Sequence, residues 1–325
     1  MKAIVCKAFG GPENLALEER PCRRPEAGEV RIRVHRAAVN FADLLMIAGQ
    51  YQVQPRPPFV PGLEAAGEVI ETGAGVATLR PGDRVVALMS DGAFATEMCG
   101  PESRFLRVPH DMDHDTAAAF SVTCGTAHMG LVRRARIQPG EWLVVTGAGG
   151  GAGLAAVELG KILGARVIAA AGSADKLELA ASRGADHLID YRKEDLRARI
   201  LDITGGAGAH VLFDPVGGDV FRAGFRALRF EGRAVIVGFA SGAPAEIRAN
   251  HLLVKNIDLI GLYWGGYKVH AIDALRASAE EIIALWRQGR IRPHVDAVLP
   301  LARTAEALDL VRSRRSRGKI LIRMA

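Results

Sequence analysis

The chain has 325 residues, 49% of them hydrophobic and 24% charged, which is typical of a globular protein of about two domains. The net charge is +6, but the basic residues are scattered apart from one dense run at residues 312–319. No nucleic-acid partner and no membrane insertion are therefore expected, and the lack of an apolar signal segment at the start indicates a cytoplasmic protein.

The first third of the chain reads as short strands separated by turns. Apolar or alternating runs at residues 29–34, 66–72 and 84–87 predict strands, and Pro-Gly and Gly-Asp pairs near them predict turns. This pattern predicts a β-rich N-terminal domain.

From Glu141 onward the pattern changes to strands that alternate with helices. The predicted segments after the first strand are residues 166–170, 176–182, 187–190, 194–203, 210–213, 219–228, 233–237 and 258–262. Such alternation predicts right-handed βαβ crossovers and a parallel, doubly wound sheet. A long helix at residues 272–287 and a final strand at residues 319–322 complete the pattern.

The most informative segment, residues 142–153, begins as an apolar strand, breaks into a glycine-dense turn and continues as a helix. Gly147, Gly150 and Gly153 recur at every third position. A glycine turn between a strand and a helix lets the backbone approach a pyrophosphate, whose charge lies at the helix N-terminus. The segment therefore predicts a dinucleotide site.

The tip of the next predicted strand, residues 169–173, carries no carboxylate. An acidic residue there would bind the ribose 2′-hydroxyl of NADH and would repel the 2′-phosphate of NADPH. Ser173 can donate a hydrogen bond and Lys176 can supply positive charge, as a phosphate requires, while Asp175 is expected to cap the following helix. We predict NADPH rather than NADH as the cofactor.

Further motifs follow in a fixed order along nearly the whole chain. They are residues 40–43 (NFAD), 58–64 (PFVPGLE), 82–85 (GDRV), 92–97 (GAFATE), the glycine turn, 253–256 (LVKN) and 261–265 (GLYWG). Together they resemble the medium-chain dehydrogenase/reductase superfamily, most closely its zinc-independent NADPH:quinone oxidoreductase branch, the zeta-crystallin-like proteins. The resemblance implies a GroES-like catalytic domain at residues 1–121 and 266–325 and a Rossmann domain at residues 122–265.

The resemblance also assigns residues to the cofactor. Gly150 and Gly153 match pyrophosphate contacts, and Ser173, Lys176 and Tyr191 match residues at the 2′-phosphate. The positions that match the nicotinamide side are Thr126, Val237, Gly238, Phe239, Leu262 and Trp264. A C-terminal arginine that reaches the phosphate matches Arg314, and Arg315 is an equal candidate.

On the substrate side, Asn40, Asp43 and Tyr51 match residues at the mouth of the nicotinamide cleft. Asn40 is expected to hold a substrate carbonyl. Tyr51 is expected to donate a proton or to orient the substrate, although its loop, residues 50–58, is rich in Pro and Gln and allows a purely structural tyrosine.

No metal site is predicted. Zinc alcohol dehydrogenases of the superfamily have Gly-His-Glu where this chain has Gly62-Leu63-Glu64, and leucine cannot bind a metal. Glu64 is therefore expected to be a buried hydrogen-bonding group. The four cysteines include no C-x-x-C pair, so neither a structural zinc site nor a disulfide framework is expected.

Without a metal, the easier hydride acceptors are those that spread the developing charge by conjugation. The sequence thus predicts a metal-free enzyme that transfers hydride from NADPH to a conjugated carbonyl, with a quinone as the first candidate. An enoyl- or acryloyl-thioester reductase or an enone reductase on the same scaffold is an alternative, as is a non-catalytic NADPH-binding protein of the crystallin or sensor type. The resemblance further implies a homodimer.

Overall fold

The computed structural model describes residues 1–244 and 246–324. Its strands β1 to β15, in chain order, are Lys2–Cys6, Leu15–Glu19, Glu29–Val39, Glu64–Thr72, Arg84–Leu88, Glu97–Pro101, Phe105–Arg107, Trp142–Thr146, Arg166–Ala171, His187–Asp190, Ala209–Asp214, Leu228–Ile236, Asp258–Gly261, Val295–Pro300 and Lys319–Arg323. Its helices α1 to α10 are Phe41–Ile47, His114–His128, Gly151–Ile162, Ala174–Ser182, Leu196–Ile203, Gly218–Arg226, Ala249–Lys255, Trp264–His270, Ile272–Arg287 and Thr304–Arg312. None of the helices in these described residues is both long and apolar enough to cross a membrane.

The chain divides into two units. The first unit contains Met1–Val122, Lys268–Arg276 and the residues from Pro293 onward, and the second contains Thr123–Tyr267 and Ala277–Arg292. The sequence-based division placed all of residues 266–325 with the N-terminal domain. In the structure, the larger part of α9 groups with the second unit instead.

The second unit is built on a six-stranded parallel sheet with the order β10-β9-β8-β11-β12-β13. Counted from β8 as the first strand, this is the order 3-2-1-4-5-6 of the doubly wound dinucleotide-binding fold. The central strands are apolar because helices cover both faces, and residues 143–145 of β8 are completely buried. The predicted parallel sheet is confirmed.

The first unit is built on a mainly antiparallel sheet with the order β14-β15-β3-β4-β5-β7, in which β6 also pairs with β3. Alternating residues of β3, namely Val30, Ile32 and Val34, point into its core, as the period-2 pattern predicts. Strand β15 pairs with β3 and brings the end of the chain back to the N-terminal sheet. The mixed α/β class with a β-rich domain is confirmed.

A buried ion pair joins distant elements of the first unit. Lys319, the first residue of β15, places its ammonium 2.7 Å from Glu64 Oε1 at the start of β4, and the two side chains are 4% and 0% exposed. The same ammonium donates to Asn40 Oδ1 at 2.8 Å and to the Val39 carbonyl at 3.2 Å. The second Glu64 oxygen accepts hydrogen bonds from the Ser121 hydroxyl and, at 2.8 Å, from the Val122 amide. We call Glu64, Lys319, Asn40 and Ser121 the Glu64 cluster.

Loss of the cation in this cluster should be costly. In Lys319→Met the Glu64 carboxylate stays buried without its partner, so we expect the free energy of unfolding, measured with urea, to fall by about 3–5 kcal/mol. The control Arg312→Met removes an exposed ion pair with Asp309 and should cost about 1 kcal/mol or less. The double variant Lys319→Met/Glu64→Gln should regain part of the lost free energy of unfolding, because it removes the unpaired charge. Equal losses in Lys319→Met and Arg312→Met would contradict this account.

Candidate functional site

The glycine turn follows β8 and leads into α3. Gly147 has a φ of +58°, and the Gly150 amide donates to the Gly147 carbonyl at 2.9 Å. Gly150 then caps α3 in an extended conformation. A Cβ atom at Gly153 would collide with the Gly147 carbonyl, so only glycine lets the helix and the turn approach this closely. The turn thus leads directly into the N-terminus of α3, and the binding of a pyrophosphate there stays a prediction.

Asp214 connects the carboxyl ends of the two central strands at the point where the strand order reverses. It ends β11, accepts a hydrogen bond from the Thr146 hydroxyl at the end of β8, and accepts another from the Gly217 amide at 2.7 Å. Burial raises the pKa of the Asp214 carboxyl to about 6, although both hydrogen bonds oppose the shift. This edge of an open α/β sheet is where ligands bind.

Cationic and hydroxyl groups gather at the tip of β9. A Cβ atom at Gly149 would collide with the side chain of Lys176, so the stem of this lysine lies directly on the glycine turn. At Gly172 a Cβ atom would lie 3.0 Å from Arg192 Nε and 3.3 Å from the Tyr191 hydroxyl.

Ser173 follows Gly172 and occupies the N-cap position of α4. The structure thus brings Ser173, Lys176 and Tyr191 together and adds Arg192, which the sequence analysis missed. The only sequence signal for Arg192 was a basic residue directly after Tyr191. Two cations and two hydroxyl groups at a strand tip without a carboxylate form a donor set suited to a phosphate.

The loop after β12 is tied to the loop after β11. The Val237 amide donates to the Asp214 carbonyl at 2.8 Å. A Cβ atom at Gly238 would lie 3.5 Å from the Pro215 carbonyl oxygen. The Phe239 ring lies 3.0 Å from the position of a Cβ atom at Gly217 and is 40% exposed. Residues 237–239 therefore lie beside the switch point of the sheet.

Leu262 and Trp264 pack against α2 and the turn that continues it. A Cβ atom at Gly125 would lie 2.9 Å from Trp264 Nε1, and one at Gly130 would lie 3.1 Å from Leu262 Cδ2. Both side chains are buried, as is Thr126, which follows Gly125 in α2. The three predicted residues Thr126, Leu262 and Trp264 are thus gathered in one region of the second unit.

Arg314 lies in the other unit. It follows α10 with a φ of +57°, and both Arg314 and Arg315 are exposed. Their predicted contact with the phosphate stays a prediction.

The side chain of Asn40 is fully engaged within the Glu64 cluster. Its amide nitrogen donates to the Ala38 carbonyl at 3.2 Å and to Glu64 Oε1 at 2.9 Å, while its oxygen accepts from Lys319. Because an asparagine amide has only two hydrogens to donate, none is left for a substrate carbonyl. The expectation that Asn40 holds the carbonyl is not supported, and its geometry fits a positioning role.

Asp43 is completely buried, whereas the resemblance implied a position at the mouth of a cleft. Its Oδ2 accepts the Asn40 amide at 2.7 Å and so caps α1, while its Oδ1 has no hydrogen-bond partner within the described residues. Burial raises the pKa of Asp43 to about 7, although the Asn40 amide and the charge of Lys319 oppose the shift. Asp43 is therefore a buried side chain that stabilises the first turn of α1.

A second buried lysine, Lys268, was not found from the sequence. Its ammonium donates to the Met89 carbonyl, and burial lowers its pKa to about 8. The carboxyl groups of Glu64, Asp43 and Asp91 face it and oppose that shift. Tyr51 is half-buried against the hydrophobic core of the same unit, so its predicted catalytic role stays a prediction.

The donor set around Glu64 does not fit zinc. Leu63 has a buried apolar side chain, and both Glu64 oxygens already accept hydrogen bonds. No group of three or more His, Cys, Asp or Glu side chains among residues 1–244 and 246–324 could hold a metal ion. The expectation that Glu64 is a buried hydrogen-bonding group is confirmed.

Comparison with known proteins agrees with this geometry. A family model described as the alcohol dehydrogenase GroES-like domain matches residues 26–144, and one described as zinc-binding dehydrogenase matches residues 151–281. A Bos taurus protein named quinone oxidoreductase-like protein 2 is 39% identical over 322 residues, which cover 99% of this chain and 92% of that protein.

Solved structures show the same fold. The quinone oxidoreductase of Escherichia coli, determined in complex with NADPH, is 30% identical with a TM-score of 0.93 and full coverage of both chains. A mycobacterial protein determined with NADPH is 29% identical with a TM-score of 0.94, again over both full chains. The GroES-like and Rossmann assignments are confirmed. The chain therefore belongs to the quinone oxidoreductase-like branch of the medium-chain dehydrogenase/reductase superfamily of oxidoreductases.

Proposed function

We propose that this protein is an oxidoreductase that uses NADPH to reduce a conjugated carbonyl compound, with a quinone as the preferred acceptor. The observation that carries the proposal is the anion-binding geometry at the switch point of the sheet, formed by the glycine turn and the cations at the tip of β9. There the glycine turn leaves room for a pyrophosphate, and Lys176 and Arg192 lie at a strand tip without a carboxylate. The NADPH complexes of the similar solved structures support the same cofactor.

The second unit binds and orients the cofactor in this proposal. Gly150 and Gly153 admit the pyrophosphate, and the start of α3 stabilises its charge. Ser173, Lys176 and Tyr191, together with Arg192, bind the 2′-phosphate. The nicotinamide is held by residues on the loops after β12 and β13 and on α2, namely Thr126, Val237, Gly238, Phe239, Leu262 and Trp264.

Bound NADPH supplies the hydride. Among the described residues, those beside Glu64 do not fit a Lewis-acidic zinc, so an acceptor that disperses negative charge by conjugation is favoured. We assign Tyr51 the role of contacting the acceptor oxygen, either as its proton donor or as an orienting group. Asn40 and Asp43 act as positioning residues because they fix the start of α1, which precedes the Tyr51 loop.

We also propose that two copies pair through β13. This strand lies at one edge of the six-stranded sheet, and within the described residues it pairs only with β12. Nearby apolar side chains are exposed, with Leu253 at 77%, Val254 at 72% and Leu259 at 39%. A two-fold axis beside β13 would join two sheets into one and would cover these side chains.

The dimer is tested by sedimentation velocity. Leu259→Lys places a charge on β13 and should convert the dimer to a monomer. Leu188→Lys is a matched control, because Leu188 is 37% exposed on β10 at the opposite edge of the same sheet. A monomeric wild type, or dissociation caused by Leu188→Lys rather than Leu259→Lys, would rule out pairing through β13.

The cofactor assignment predicts a preference for NADPH over NADH of at least about tenfold in dissociation constant, or about 1.4 kcal/mol. Lys176→Ala and Arg192→Ala should each weaken NADPH binding by about tenfold and leave NADH binding unchanged, since each removes a charge-assisted contact to the 2′-phosphate. Fluorescence titration measures both ligands.

Lys193→Ala is the control for the cofactor test, because this lysine is exposed and pairs with Asp190. If the Lys176 and Arg192 variants keep the wild-type preference, the phosphate contacts are misassigned.

The acceptor is tested by steady-state NADPH oxidation with benzoquinones, simple enones and enoyl-thioesters. We expect the highest kcat/KM with quinones, unchanged activity after treatment with a chelator, and no stoichiometric zinc by elemental analysis.

Tyr51→Phe should lower kcat by at least about tenfold while the Kd for NADPH stays the same. Higher kcat/KM with enoyl-thioesters would favour the thioester reductase, and tight NADPH binding without turnover would favour a non-catalytic binding protein.

A further inference from the structure

Two of the four cysteines meet on one face of the first unit, although 76 residues separate them in the chain. Cys99 lies on β6, and Cys22 lies in the segment between β2 and β3. The thiols are near enough for each to affect the pKa of the other, and each is half-buried. The other two cysteines, Cys6 and Cys124, are buried and lie in different units.

Independent contacts hold the Cys22 segment against β6. The Cys99 thiol donates to the carbonyl of Arg23, the residue after Cys22, at 3.2 Å. Arg23 Nη2 in turn donates to Glu29 Oε1 at 2.8 Å, and Glu29 begins β3, the strand that pairs with β6. The backbone beside Cys22 is therefore fixed at the strand that carries Cys99.

We propose that Cys22 and Cys99 are an oxidation site that forms a reversible intrachain disulfide when the protein meets a hydroperoxide. This assignment rests on the thiol pair and its anchoring contacts, and it is independent of the cofactor and the acceptor.

The surroundings distinguish the roles of the two sulfurs. Burial and the neighbouring Glu97 carboxylate raise the pKa of the Cys22 thiol, although Cys99 and the charge of Arg31 oppose the shift. Burial and the presence of Cys22 raise the pKa of Cys99 to about 12, although Arg23 and Arg31 oppose the shift. The hydrogen bond that the Cys99 thiol donates to the Arg23 carbonyl keeps its proton on Cys99, so we assign Cys22 as the attacking sulfur.

The chemistry proceeds in two balanced steps. The Cys22 thiolate attacks one peroxide oxygen, so that an S–O bond forms, the O–O bond breaks and the alcohol or water leaves after taking up a proton. Cys99 then attacks the sulfenic sulfur of Cys22, an S–S bond forms, the S–O bond breaks and water leaves with the Cys99 proton. Each sulfur loses one electron, the peroxide gains two, and a dithiol reductant reverses the change.

The test is peptide mapping by mass spectrometry without reduction, after the reduced full-length protein has reacted with stoichiometric hydrogen peroxide and been alkylated under denaturing conditions. We expect one linked peptide pair containing Cys22 and Cys99, a fall from four free thiols to two, and full alkylation of Cys6 and Cys124. Dithiothreitol should restore all four thiols. Recovery of Cys22 and Cys99 as separately alkylated or separately oxidised residues would overturn the proposal.

Single variants test the order of attack. Cys99→Ser should accumulate a sulfenic acid at Cys22 that dimedone traps, whereas Cys22→Ser should slow oxidation of Cys99 by at least about tenfold, because its thiol stays protonated. Equal trapping at both positions would refute the assigned roles. Thermal unfolding shows whether each variant is folded, and the wild-type peptide map remains decisive if either variant is not.

Discussion

The first unit depends on one constraint, which is that Glu64 and Lys319 are both removed from water and must neutralise each other. Neither charge could be buried alone without a large loss of stability. Their pairing fixes the start of β4 against the start of β15, while Asn40 and Ser121 attach α1 and α2 to the same carboxylate. Lys319 donates to three acceptors and so has no hydrogen left for another group. The pairing of β15 with the N-terminal sheet therefore also supplies the cation that the buried Glu64 carboxylate needs.

The sequence predicted the parts of the protein that are local along the chain. The glycine turn and the carboxylate-free tip of β9 each follow from residues close together in the chain, where turn chemistry determines the structure. The parallel sheet follows from the repeated alternation of strands and helices. The side chain of Lys176 lies on the glycine turn, and its predicted contact with the 2′-phosphate stays a prediction.

Residues whose roles depend on distant partners could not be found in this way. Lys319 begins an apolar strand, and only its contact with Glu64, 255 residues away, explains a buried lysine there. Lys268 and Arg192 have no local signal beyond their charge, since their environments come from other segments. Asn40 was assigned to a substrate because its motif was recognised, but the hydrogen-bond count of its amide depends on Lys319 and Ala38. A motif thus indicates a position in the chain, while long-range contacts determine what the side chain there can do.

The charges of the first unit bear on the choice of acceptor. Two ammonium groups, Lys268 and Lys319, face the carboxyl groups of Glu64, Asp43 and Asp91, so the cations are balanced by nearby acids. Charges that balance each other would offer little stabilisation to an alkoxide formed from an isolated ketone, which needs a concentrated positive charge or a strong proton donor. A quinone or enone places the added negative charge on an oxygen that is conjugated with the reacting carbon, and it needs correspondingly less help from the protein. The proposed preference for a quinone or enone agrees with this balance of charges, because such an acceptor stabilises its own reduced form.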